Sequence, residues 1–358
     1  MKIINRYIAS EFLKAFGFIL LSLGAISFIV DFVTRVNSFL SQNASAEQVL
    51  THFLWQLPFL VSMIIPASSL LAVLVVFTVM SRNNEIIALK AGGVSVAALV
   101  KPLMIIALAI SLIHAFLNGF LAPYGLKQAQ SVTNQVQKRQ DMLAFKSDGI
   151  WYKDGEAIYN FTFYDAQKVE LRGVSVFVFD KDFNITTRLQ APMAYWRDGG
   201  WVMRDVTMVS FTGRDFPLLE KRSEHGLTLK EKPQDFVLVQ SDTSLMTLTE
   251  IQRYAKHLLK AGTQAGMYLT ELHGKIAFSL VNLILVIIGA VFSITFGREG
   301  GVAGNIGIGI GIGFSYWVVF AIASSAGKSG YIPPVLAAWS ANILFGLLAL
   351  WLLKRVKT

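Results

Sequence analysis

The chain has 358 residues, 54% of them hydrophobic and 15% charged, with a mean hydropathy of +0.52; that is too apolar for a water-soluble protein of this size and calls for several membrane spans. Its net charge of +9 collects beside the ends of apolar runs and is not interleaved with aromatics, which marks membrane topology and argues against nucleic acid as a partner. The absence of cysteine excludes disulfides, zinc–thiolate sites and thiol catalysis.

Lys2, Ile3, Ile4, Arg6, Tyr7 and Ile8 mix basic and apolar side chains at helical spacing and predict an interfacial helix over residues 2–11. The following apolar run, about 12–34, lacks a short core with a small-residue cleavage site, so it is expected to stay as the first span. Asp31 and Arg35 stand one helical turn apart at its far end and can pair. They either mark the membrane boundary or line the mouth of a path for a polar-headed substrate. Ser41 to Glu47 reads as an external loop. The second span, about 53–80, holds Pro58 and Pro66, each of which removes a backbone hydrogen bond and kinks a helix.

Between this span and the third, about 96–121, lies the polar stretch Ser81 to Gly93. It predicts a short helix capped by Ser81 and stopped by Gly92-Gly93, with Ile86, Ile87 and Leu89 as its apolar side. Glu85 has only Arg82 and Lys90 of opposite sign nearby in the sequence. The stretch is either a solvated turn or a rigid helix that offers a carboxylate to a basic groove. His114, inside the third span, is expected to be a satisfied packing residue.

After Ala122-Pro123 the composition changes. Residues 124–142 are polar and glutamine-rich and predict an exposed helix leaving the membrane. From about 145 to 245 short strands follow one another: Val174 to Phe179, Ile185 to Gln190, Met193 to Trp196 and Trp201 to Phe211, separated by the Asp180 to Asn184 and Arg197 to Gly200 turns. This predicts a sandwich or jelly roll, and no glycine-rich phosphate loop follows any strand. Thr247-Leu-Thr-Glu250 is a capping box that opens an amphipathic helix carrying Ile251, Tyr254, Leu258 and Leu259, stopping at Gly262. Three more spans follow, about 276–296, 302–325 and 334–353, with a short cytoplasmic loop at Gly297 to Gly301 and an external one at Gly327 to Gly330.

Basic residues near short segments fall nine on one side (Lys2, Arg6, Lys14, Arg82, Lys90, Arg298, Lys354, Arg355, Lys357) and two on the other (Arg35, Lys328). Both termini are therefore expected in the cytoplasm and the β domain outside. Gly309 and Gly313, like Gly307 and Gly311, are four apart and would let another helix approach closely. Gly327-Lys328-Ser329 resembles the end of a P-loop, but Ile322 stands where the first glycine is required. No catalytic signature and no metal-ligand spacing appears. Lys275, at the expected outer edge of the fourth span, either snorkels to headgroups or meets a substrate phosphate.

Three spans, an external β domain and three more spans, with Ser81 to Gly93, Tyr268 to Ile276, Gly330-Tyr-Ile-Pro-Pro334 and Ala337-Ala338-Trp339, resemble the LptF/LptG-type permeases of the lipopolysaccharide-export ABC transporter. The stretch from Leu259 to Gly266 leans toward the LptG branch. The resemblance implies a six-helix membrane bundle with a periplasmic β jelly roll between helices three and four, in a Gram-negative inner membrane. Its organisation would be 1–123 with the coupling helix at 81–93, then 124–266, then 267–358. It implies a cytoplasmic ATPase dimer carrying ATP and Mg, a second homologous permease, a periplasmic jelly-roll bridge protein, and lipopolysaccharide as cargo extracted through lateral openings. By that likeness Glu85, with Arg82, Ile86 and Leu89, engages the ATPase, spans one and five form the gates, and Asp31, Arg35, Lys275, Gly309 and Gly313 border the lipid path. This chain departs from the family pattern at Ser279, where proline is common. The rival readings are a secondary transporter, which would need intramembrane acids near mid-bilayer, and a membrane-anchored periplasmic scaffold, which would need neither six spans nor a coupling-type helix.

Overall fold

The computed structural model describes residues 2–136, 150–154, 156–165, 168–180, 183–211, 217–227, 229, 233, 243–260, 265–296 and 301–355. The chain divides into a membrane unit, 1–133 with 266–358, and a second unit, 134–265. Among the described residues six helices are long and apolar enough to cross a membrane.

The first helix, α1, runs unbroken from Lys2–Leu40, about 58 Å at 1.5 Å per residue. The expected interfacial helix over 2–11 is thus the first part of α1. Ile8 and Phe12 are fully buried in the bundle, which gives this end a packing reason to continue the helix axis. Helix α2, Ala46–Arg82, begins earlier than hydropathy suggested. Ser45 accepts from the Gln48 N–H while the Gln48 side chain takes the Ser45 N–H at 2.9 Å, a capping box inside the stretch read as a loop. α2 continues through Pro58 and Pro66. Then come α3, Glu85–Ala91, and α4, Val96–Phe116.

A π-helical turn, Leu117–Leu121, joins α4 to α5, Ala122–Val136. The described part of the expected exposed helix therefore extends the third span, and up to Thr133 it belongs to the membrane unit. Gly125 permits this, since a Cβ there would collide with the Trp55 carbonyl of α2. His52 Nδ1 lies 3.0 Å from the Ala129 carbonyl and 3.1 Å from Thr133 Oγ1, fastening the same face. Residues 137–142 of that stretch lie outside the described residues.

The second unit contains one seven-stranded antiparallel sheet. Its strands are β1 (Ile150–Asp154), β2 (Ala157–Phe161), β3 (Phe163–Asp165), β4 (Glu170–Phe179), β5 (Ile185–Arg197), β6 (Gly200–Ser210) and β7 (Leu218–Leu227). They run in the order β1-β2-β4-β5-β6-β7, with β3 beside β4. The two strands expected at 185–190 and 193–196 are one, β5, passing through Pro192. The register of β4 on β5 and of β5 on β6 is the same on both sides of Pro192, which puts Gly173, Pro192 and Asp205 in one row. Gly173 and Asp205 have positive φ (62° and 56°). Leu171, Ala194 and Met203 are buried on one side of this row, and Val174, Ala191 and Val206 on the other. The odd–even alternation thus slips by one in all three strands together, so one core can be lined from both halves. Gly173 is required here, because a side-chain carbon would collide with Thr162 Oγ1.

Helix α6, Leu248–Lys260, opens as expected: Thr247 N donates to Glu250 Oε2 at 2.8 Å and Glu250 N to Thr247 Oγ1 at 3.3 Å. Ile251 and Tyr254 are buried, whereas Leu259 is exposed. The expected stop at Gly262 lies outside the described residues. The chain returns to the membrane unit as α7 (Gly266–Phe296), α8 (Gly301–Lys328) and α9 (Pro334–Arg355). Residues 297–300 of the expected cytoplasmic loop are not described. α7 packs against α2, α4, α8 and α9.

Polar side chains lock this interior. Asn282 Nδ2 donates to the Ser279 carbonyl at 2.8 Å and lies 3.2 Å from His114 Nδ1 of α4, while Ser69 of α2 donates to Asn282 Oδ1 at 3.4 Å. His114 is fully buried in this network and edge-on to Phe278, so it packs as expected, but its buried Nε2 has no hydrogen-bond partner and it is not fully satisfied. Tyr316 donates to Asn342 Oδ1 at 2.6 Å, and Asn342 Nδ2 donates to the Ala277 carbonyl at 2.7 Å, tying α8, α9 and α7. In a membrane, polar groups that find partners between helices supply adhesion that apolar surfaces lack.

Candidate functional site

The link from α2 to α4 is set by its backbone. The Asn83 N–H reaches the Val79 carbonyl at 3.0 Å and the Asn84 N–H the Ser81 carbonyl at 3.2 Å, so α2 closes over Arg82. Asn84 then turns left-handed, φ 63°, a conformation asparagine tolerates, and α3 begins at Glu85. Ser81, expected as the cap of this helix, is instead buried in the last turn of α2, and Asn84 takes the cap position. Gly92 ends α3, Gly93 follows at φ 80°, and Ser95 Oγ accepts from the Ala98 N–H to start α4. The glycine stop is where the sequence put it.

α3 does not present one apolar side outward. Ile86 is 2% exposed and joins Ile8, Phe12, Met80 and Leu99 in a shared core, with Leu89 packed against it. Ile86 thus anchors α3 to the bundle, and Leu89, partly buried, packs beside it. Arg82, Asn83, Asn84, Ile87, Ala88 and Ala91 are exposed, and Glu85 is partly so.

The Glu85 carboxylate is held by two neutral donors. Tyr7 Oη of α1 donates to Oε2 at 3.2 Å and Asn83 Nδ2 donates to Oε1 at 3.3 Å. Neither cancels the negative charge, and a carboxylate with two donors keeps acceptor capacity for more. Nothing in the local sequence signals Tyr7, which is 78 positions away. Its only trace was membership of the basic and apolar N-terminal pattern.

The residues expected along a lipid path are not brought together. Asp31 Oδ1 accepts from Arg35 Nε at 2.8 Å within α1, and Arg35 is half exposed. Lys275 is 8% exposed, ten residues into α7, so it does not reach outward from a helix edge as expected. Its carbonyl accepts from Ser279 Oγ at 2.8 Å and from Asn118 Nδ2 at 3.2 Å. Serine at position 279 satisfies its hydroxyl on its own helix, a role proline could not fill. Lys328 pairs instead with Glu271 at 2.6 Å, bridging α8 and α7.

The α8 glycines divide between two faces. A Cβ on Gly309 would collide with Leu74 of α2, and one on Gly313 would sit 3.6 Å from Leu70. Asn305, one turn before Gly309, donates from Nδ2 to Thr78 Oγ1 at 2.9 Å. Residues 305, 309 and 313 thus meet 78, 74 and 70 in antiparallel steps of four, and sequence reasoning missed Thr78 and Asn305. Gly307 and Gly311 have nothing within 4 Å. Close packing at Gly309 is as expected, but within this chain its neighbour is the second span and not the first.

Compared with known proteins, residues 6–355 match the family described as "Lipopolysaccharide export system permease LptF/LptG". The chain is similar to the lipopolysaccharide export system permease protein LptG of Escherichia coli K12, 23% identical over 365 residues covering 99% of this chain and 98% of the relative. The same protein from Escherichia coli O6:H1 shows the same identity and coverage.

Proposed function

The chain belongs to the LptF/LptG family of lipopolysaccharide export permeases, a multi-pass inner-membrane family of transport subunits, and on that premise we propose that it extracts lipopolysaccharide from the inner membrane and passes it to a periplasmic bridge toward the outer membrane. The power comes from a separate cytoplasmic ATPase dimer, which holds ATP and Mg. Both termini and α3 face the cytoplasm, and the β sheet faces the periplasm. A second homologous permease completes the lipid path. The nine-to-two distribution of basic residues supports this orientation. The apolar windows of α1 and α8 support the second permease, since few or none of their residues are fully buried in this chain.

The observation that carries the proposal is the construction of α3. A seven-residue helix is clamped from below by Ile86 and holds Glu85 in a fixed setting at the end of the bundle where α1 begins. A solvated turn needs neither clamp nor orientation. The test is reconstitution. Proteoliposomes containing this chain, its partner permease and the ATPase should release lipopolysaccharide to a soluble acceptor only when ATP and Mg are present. Release at the same rate without ATP, or failure of any soluble ATPase to copurify with the detergent-solubilised chain, would overturn the reading.

A further inference from the structure

The Tyr7–Glu85 contact joins two parts of the chain with no reason in the local fold to meet through polar atoms. We propose that Tyr7 is a positioning residue for ATPase coupling: its hydroxyl fixes the orientation of the Glu85 carboxylate and ties α3 to the first turns of α1. The inference rests on the reading of Glu85 as the docking group and adds a second residue, on a different helix, through which that group acts.

The geometry has three parts. First, Tyr7 Oη and Asn83 Nδ2 hold different oxygens of the same carboxylate, at 3.2 and 3.3 Å, which restricts rotation of the group about its terminal bond. A carboxylate held in one plane meets a planar or forked cation without first losing that freedom. Second, both donors are neutral, so the charge offered to a cationic partner is undiminished. A lysine or arginine at position 7 would orient Glu85 equally well and compete with the partner for it. Third, Tyr7 is 45% exposed while its neighbour Ile8 is fully buried in the apolar cluster that also holds Ile86. The tyrosine ring is therefore held at the surface by the same apolar contacts that hold α3, and its hydroxyl is placed by α1. A displacement of α3 on docking is felt at α1 through both the hydrogen bond and the apolar contact beneath it.

The experiment uses the assembled complex of both permeases and the ATPase, with Tyr7→Phe, Glu85→Gln and the double variant. Three readouts are taken: copurification of the ATPase, thermal unfolding, and lipopolysaccharide released per ATP hydrolysed. Tyr7→Phe removes one oxygen and keeps the ring, so the unfolding temperature should match the parent. Release per ATP should fall on the order of 5-fold, the size of one such hydrogen bond. Because the hydroxyl acts through the carboxylate, adding Tyr7→Phe to Glu85→Gln should cause no further loss. Parent-like release per ATP in Tyr7→Phe beside an uncoupled Glu85→Gln would overturn this inference alone, as would losses that multiply in the double variant. A parent-like Glu85→Gln would overturn the docking role of Glu85 and this inference with it.

Discussion

Gly309 of α8 lies so close to Leu74 of α2 that no side chain fits between them, and one turn away Asn305 donates to Thr78 across the same seam. The two helices are therefore joined by the Leu74 side chain seated against the bare Gly309 backbone and by a buried hydrogen bond in one register. In a bilayer close approach gains dispersion contacts, and the amide nitrogen finds a partner that lipid cannot supply, although Asn305 Oδ1 is buried without one.

Gly309→Leu should wedge α8 off α2 and destabilise the chain by about 1–3 kcal/mol, the usual cost of overpacking. Gly311→Leu, which meets open space, should leave the unfolding temperature of the isolated chain in detergent unchanged. Combining Gly309→Ala with Leu74→Ala should recover most of what Gly309→Ala loses. Equal melting of the Gly309→Leu and Gly311→Leu variants would show that the seam is not close-packed.

Glu85→Lys should weaken ATPase association or uncouple hydrolysis from lipid movement while leaving membrane insertion intact. A charge on a solvated turn is worth only ~0–1 kcal/mol, whereas stranding a partner's cation in a partly buried groove costs about 2–5 kcal/mol. Pull-down of the ATPase and export assays separate these magnitudes. A reversed charge on the ATPase that restores binding would locate the contact.

Asn282→Ala removes a side chain that touches groups on two other helices. It should lower stability by about 1–2 kcal/mol, since interhelical hydrogen bonds in membranes are individually modest. His114→Ala in the same background should then add less than it does alone. Detergent unfolding of the two single variants and the double variant measures this.

A cysteine placed at Asp198, in the exposed β5–β6 turn with φ 49°, should react with an impermeant thiol reagent in intact spheroplasts. The chain has no other cysteine, so the label reports that one position. Reaction only after lysis would invert the topology proposed for the β sheet.

Six apolar runs, an inserted strand-rich segment, the Thr247–Glu250 cap and the glycine stop of α3 were legible from the sequence because each depends on local chemistry. Burial in lipid demands about 20 apolar residues, caps demand particular side chains at fixed spacing, and a left-handed turn selects glycine or asparagine. Where Ser81 and Leu259 were misplaced, local signals competed. Ser81 suits a cap, but the α2 ladder and core packing claimed it first; Leu259 continued an apolar pattern past the turns that are actually buried. The joint slip at Gly173, Pro192 and Asp205 was hidden because it is a property of three aligned strands. Tertiary structure alone decided that Ile86 faces inward, that Lys275 is enclosed, that Gly309 meets Leu74, and that Tyr7 holds Glu85. The physical reason is range: hydropathy, capping and turn chemistry act over a few residues, whereas the neighbours of a packed side chain are set by how helices far apart in sequence lie against one another.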